Sequence, residues 1–164
     1  MTDFRALLHA LTEAGVDVIL IGGVAATSHG SSRLTRDVDV VYRRTPENIA
    51  RLVTALTPFQ PYLRGAPPGL PFRWDSATIA HGLNFTLTTR LGDLDVLGEI
   101  VGGGDYDALL PFSTLVRAFS VDCRCLNLDR LIEVKRAAGR PKDLEAIAEL
   151  EAIREERCPP PATA

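Results

Sequence analysis

The chain of 164 residues carries 18 Lys and Arg against 21 Asp and Glu, a net charge of −3, with 46% apolar and 24% charged residues. This is the composition of one globular domain able to bury a core without disulfides, and it excludes collagen-like, coiled-coil and wholly disordered chains. It also excludes a generic basic nucleic-acid binder, because no net positive field exists to drive counterion release.

Phe4, Leu7, Leu8 and Leu11 recur at helical spacing and Gly15 follows as a stop, which predicts a first amphipathic helix. Asp3, His9 and Glu13 among these residues are unlike a secretory leader. Val16 to Ile21 is β-branched and apolar, the pattern of a buried strand, and it runs into Gly22-Gly23 and a short Ala-rich helix ending near His29. The longest apolar stretch, Val18 to Ala26, has about half of the roughly 18–20 residues a membrane span needs, so no membrane contact is expected. After the loop Gly30 to Arg33, a second strand is expected over Asp37 to Tyr42. Thr45-Pro46-Glu47 then supplies an N-cap, a first-turn proline and an acid for a helix buried through Ile49, Leu52, Val53 and Leu56.

Between Pro58 and Pro71, five prolines and two glycines leave little hydrogen-bonding backbone, and this segment reads as a loop or lid. Asn84 to Thr89 and Leu94 to Ile100 predict a hairpin turning near Leu91-Gly92-Asp93, with a glycine loop at Gly102 to Gly104. Arg117 to Leu126 is a further expected strand. Asn127 caps a helix to Ala138, Gly139 ends it, and Lys142 to Glu156 forms the last helix. The result is one α+β domain over residues 1–157, a small mixed sheet with helices packed on it, followed by a disordered tail over 158–164. Cys123 and Cys125 alternate on a strand while Cys158 lies in the tail, a distribution that fits structural thiols in a reducing cytoplasm.

Chemistry concentrates at Asp37-Val38-Asp39, since residues i and i+2 of a strand share a face and the two carboxylates would repel each other. At about 4 Å and an effective dielectric near 20 such a pair costs on the order of 4 kcal/mol, unless a cation, a raised pKa or water relieves it. An oxygen-only set suits Mg2+ or Mn2+. The alternative is a solvated pair on an edge strand. Gly22-Gly23, between a strand and a helix, offers free backbone N–H groups to a phosphate, or serves only as a tight turn. His29 and His81 each precede a glycine and fit tuned turns, and Phe72 and Trp74 either stack on a base or pack on the sheet.

Gly22-Gly23, His29-Gly30-Ser31-Ser32-Arg33 and Thr35-Arg36-Asp37-Val38-Asp39 together resemble the signature of the polymerase-beta-like nucleotidyltransferase superfamily. The stretch Gly82 to Thr88 with Leu91 to Leu97 resembles the hairpin bearing that superfamily's third carboxylate. Lys135-Arg136-Ala137-Ala138-Gly139-Arg140-Pro141-Lys142-Asp143 is similar to a helical motif of bacterial nucleotidyltransferase-like proteins, including abortive-infection toxins. The resemblance implies a nucleotidyltransferase fold and transfer of an NMP group from an NTP to a hydroxyl of RNA such as tRNA, of protein or of a small molecule. Asp37, Asp39 and Asp95 would be the catalytic, metal-binding triad, with Asp93 as the rival third member. Gly22, Gly23, Arg33, Lys135, Arg140, Lys142 and Asp143 would bind the nucleotide. Arg33 reads equally as a surface ion pair, and Lys135 and Lys142 as helix-end and surface cations. The chain departs from the family at Gly22-Gly23, where such proteins often have Gly-Ser. A different reading is a non-catalytic nucleotide-binding or toxin–antitoxin partner module of the same fold, with an antitoxin as its protein partner.

Overall fold

The computed structural model describes residues 1–158, and the rest of the expected tail lies outside them. The chain opens with α1 (Phe4–Glu13), which buries Leu7, Leu8 and Leu11. Asp3 caps it by accepting from the Ala6 N–H at 2.9 Å. β1 (Val18–Ile21) is buried at every position, so both faces of the sheet are covered there. α2 (Gly22–Ser28) begins on the very next residue. β2 (Asp37–Tyr42) returns antiparallel to β1 and places Asp39 opposite Ile21. α3 (Pro46–Leu56) starts from Thr45, whose hydroxyl accepts from the Asn48 N–H at 3.2 Å.

Next come β3 (Tyr62–Leu63), α4 (Ser76–His81), β4 (Asn84–Thr89) and β5 (Gly92–Leu97). β6 (Glu99–Ile100) and β7 (Gly104–Asp105) form a small separate ribbon, and α5 (Tyr106–Leu109) leads into β8 (Ser113–Ala118) and β9 (Val121–Leu126). α6 (Leu128–Ala138) and α7 (Pro141–Arg157) complete the described chain. The seven-stranded sheet has the order β3-β4-β5-β2-β1-β9-β8. It is mixed: β2 runs parallel to β5 and β1 parallel to β9, while the other neighbours are antiparallel. The architecture is α+β, as expected. Among the described residues, no helix is long and apolar enough to cross a membrane.

Several elements differ from the sequence expectation. The proline-rich segment is no free loop, because Tyr62 and Leu63 pair with Thr88 and Leu87 as the outermost strand of the sheet. Pro61 and Pro67 flank that strand without removing its own donors, and at an edge only one side needs them. Residues 117–126 are not one strand but the end of β8, a two-residue turn and β9. The turn residues Phe119 and Ser120 both have positive φ, +48° and +65°, a conformation that usually announces itself through Asn or Gly. β5 stops at Leu97, because Gly98 turns its N–H to the Leu83 carbonyl and the Asn84 side chain. α4 escapes sequence reading because its six residues span under two turns, held by an Asp75 cap. Cys123 and Cys125 are buried on β9, and burial pushes their thiols up to about 11 and about 12, which leaves them unreactive.

The turn from β1 into α2 is where fold and site meet. Gly22 stands at φ +66°, and a Cβ there would overlap the Asp39 carboxylate. Gly22→Ala should therefore lose about 1–3 kcal/mol of unfolding free energy in urea titrations. Gly15→Ala has a similarly positive φ but open space around it, and should lose less. Equal losses would show that the approach of Asp39 carries no energy.

Candidate active site

β2 and β5 each contain an Asp-x-Asp pair, and the parallel register aligns them residue for residue: Asp37 beside Asp93 and Asp39 beside Asp95. The intervening Val38 and Leu94 are fully buried, so the alternation of the strand puts all the aspartates on the opposite face. Asp37, Asp39 and Asp95 each offer a carboxylate oxygen, and these oxygens lie within 4.8 Å of one another. Asp95, not Asp93, is the third member of this cluster.

Crowding leaves an electrostatic mark. Asp39 is pushed up to about 7, first by burial, then by the charges of Asp37 and Asp95. Asp95 is also raised, chiefly by burial, against the opposing pull of Arg64. An all-oxygen set of three carboxylates fits a hard divalent cation.

Every residue that the resemblance assigns to the catalytic triad or to nucleotide binding lines a single cavity of about 810 Å3, together with Arg64, Thr35 and an apolar wall that includes Leu97, Ile100, Leu131 and Val134, whereas His29, His81, Phe72 and Trp74 do not. Lys135, on α6, has its pKa lowered by burial, although Asp143 and Asp39 pull the other way. Arg140 and Asp143 are already engaged with each other. The Arg140 Nε donates to one Asp143 oxygen at 2.6 Å and Nη2 to the other at 3.2 Å, a fork that closes the start of α7. Burial alone would raise the buried Asp143 carboxyl, but the Arg140 guanidinium holds it below the usual range. Lys142 is exposed on the cavity wall. Arg33 also lines the cavity, with its Nη2 3.2 Å from a Glu145 oxygen, the surface ion pair that was its alternative reading. Trp74 donates its Nε1–H to the Val53 carbonyl and packs against the core, away from the cavity lining.

Sequence reasoning missed Arg64. Its Nη2 donates to Asp95 at 2.8 Å and to the Leu87 carbonyl at 2.7 Å, while Nη1 lies 3.7 Å from Asp37 and Nε 3.4 Å from Asp93. It sits in the proline-rich segment, and nothing local marks it as facing the aspartates. Only the pairing of β3 with β4 carries it there.

No protein-family model matches the chain, and no curated protein matches its sequence. Solved structures do resemble it. The lincomycin-bound crystal structure of lincosamide antibiotic adenylyltransferase LnuA superposes with a TM-score of 0.59 at 14% identity, over 93% of this chain and 98% of that one. An antigenic nucleotidyltransferase-like protein from Paracoccidioides brasiliensis gives a TM-score of 0.55 at 17% identity, over 91% of this chain and 72% of its own. The antibiotic-resistance factor ANT(2'')-Ia gives 0.51 at 15% identity, over 93% and 88%. These likenesses establish that the chain shares the fold of these nucleotidyltransferase structures.

The raised Asp39 pKa has a consequence for metal-free stability. A carboxyl that stays protonated to about pH 7 when folded, but ionises near 4 when unfolded, contributes stability at low pH that is lost as pH rises through that window. In chelator, the unfolding free energy of the native chain should fall between about pH 4 and 7 relative to Asp39→Asn, by an amount on the order of a few kcal/mol. Parallel pH profiles for the two proteins would contradict the crowding described here.

Proposed function

We propose that the chain is a nucleotidyltransferase dependent on Mg2+ or Mn2+, moving an NMP group from an NTP to an acceptor hydroxyl with release of pyrophosphate. The observation that carries this reading is the carboxylate cluster of Asp37, Asp39 and Asp95, set in one cavity with Gly22, Gly23, Arg33, Lys135, Arg140 and Lys142 on this fold. The three aspartates would hold the metal, which when bound polarises the phosphate and lowers the pKa of the attacking hydroxyl. Asp95 accepts the hydroxyl proton. The Gly22-Gly23 turn presents backbone N–H groups to the phosphates, and Lys135, Arg140, Lys142 and Arg33 balance their charge. Asp143 acts through Arg140 by fixing its guanidinium at the start of α7.

A cavity of about 810 Å3 lies within the usual range for small-ligand sites, roughly 300–1,000 Å3. Its apolar wall and the net charge of −3 support a small hydroxylated acceptor over tRNA or other RNA. The lincosamide enzyme, aligned over 98% of its own chain, has no large additional domain beyond this fold. The expected compartment is the cytoplasm, where NTP and Mg2+ are supplied.

One observation favours the second reading, a non-catalytic nucleotide-binding or antitoxin-paired module: Arg64, a protein cation, already touches the aspartates. Two experiments separate the readings. Replacing Asp37 or Asp39 with Asn should reduce labelling of acceptor by α-labelled NTP by about 1,000-fold or more while the protein remains folded. Undiminished labelling would reject the assignment. Separately, Mn2+ with NTP should raise the melting temperature above that with NTP and chelator, since a ligand at about 100 times its Kd adds roughly 2.7 kcal/mol. A shift by NTP that ignores the metal would favour the module.

A further inference from the structure

We propose that Arg64 is a resident counter-cation, seated against the carboxylate cluster in the metal-free protein, that a divalent ion must displace to enter. This inference rests on the reading of Asp37, Asp39 and Asp95 as metal ligands. Its basis is the way the guanidinium is held. Arg140 grips Asp143 with two nitrogens on two oxygens, at 2.6 and 3.2 Å, as a structural pair does. Arg64 instead spreads one guanidinium over three carboxylates and makes a close bond to only one, Asp95 at 2.8 Å. Asp37 and Asp93 stay at 3.7 and 3.4 Å, and the buried Nε finds no hydrogen-bond partner. Such an arrangement supplies charge without satisfying geometry, and that is what a replaceable ion does.

The seat of Arg64 is built independently of the aspartates. Its backbone N–H donates to the Thr86 carbonyl at 2.9 Å, extending the β3–β4 pairing, and Nη2 also donates to the Leu87 carbonyl at 2.7 Å. The chain can therefore keep Arg64 beside the site while its contacts to Asp95 and Asp37 break. Gly65, at φ +75°, follows directly with open space around it. Two of the three members of the cluster are thus occupied by the protein's own cation until an ion takes its place. The apparent affinity for a free divalent ion is reduced by the fraction of molecules in which Arg64 is seated.

The test measures Mn2+ binding without nucleotide, by calorimetry or by the loss of the free-ion paramagnetic resonance signal, on the whole chain. Arg64→Gln should bind Mn2+ about tenfold more tightly than the native protein, the gain expected if the seat is filled about nine-tenths of the time. That gain should vanish in the Arg64→Gln, Asp39→Asn double variant. Native-like or weaker Mn2+ binding by Arg64→Gln, with the native protein binding normally, would overturn the counter-cation and leave the metal site standing. Failure of both proteins to bind Mn2+ would remove the metal site itself, and the counter-cation with it. Should Arg64→Gln fail to fold, the native chain decides the matter through phenylglyoxal modification, read at Arg64 by mass spectrometry. Mn2+ alone should speed formation of the Arg64 adduct, whereas an unchanged or slower rate overturns the proposal.

Discussion

The parallel register of β2 on β5 is the constraint on which the rest of this structure depends. It sets two Asp-x-Asp pairs side by side and on one face, because alternation sends the intervening Val38 and Leu94 into the core. Slipping the register by one residue would scatter the aspartates but would also bring the apolar set to the surface, so burial itself enforces the crowding. The fold accepts the repulsion in two ways. Asp39, the most deeply placed, shifts toward its neutral form, and Arg64 is brought against the outer carboxylates by an extra edge strand.

The opposite wall of the cavity is organised by a different logic. α6 ends at Gly139, at φ +66°, and α7 starts two residues later, so the cations of this stretch gather at one turn instead of following one helix face. Arg140 and Asp143 hold that turn together by mutual neutralisation, which leaves Lys135 and Lys142 as the cations there without a close carboxylate among the described residues. Acidic strands on one side and a basic helical turn on the other produce a charge gradient across one cavity. A metal–phosphate ligand, positive at one end and negative along its chain, matches that gradient.

Much of this was legible in the sequence, and the boundary of legibility has a physical cause. Helical periodicity exposed α1 and α3, a continuous apolar run exposed β1, and the Asn127 cap with the Gly139 stop exposed α6, while Asp37-x-Asp39 stood out because no core pattern explains it. The resemblance put Asp95 ahead of its rival Asp93 as the third carboxylate, and the structure groups Asp95 with Asp37 and Asp39. Arg64 was invisible because its role arises from pairing between Leu63 and Leu87, far apart in the chain. β8 was hidden for the opposite reason: at the sheet edge its Thr114 and Leu115 are both exposed, so it lacks the alternation that betrays a half-buried strand.

The departure at Gly22-Gly23 is explained by packing. A Cβ at position 23 would overlap the Thr35 side chain, whose hydroxyl donates to the Asp37 carbonyl at 3.1 Å. Thr35 therefore fills the space where a residue with a side chain at position 23 would project, and it fastens the entrance to β2 while doing so. Gly22 meets Asp39 in the same fashion from the other side of the turn. The two glycines let the strand bearing the aspartates approach the start of α2 closely, with a hydroxyl supplied from the β2 side of the gap. The Asp39 carboxylate and the Thr35 side chain thus take up the two volumes that side chains at positions 22 and 23 would need.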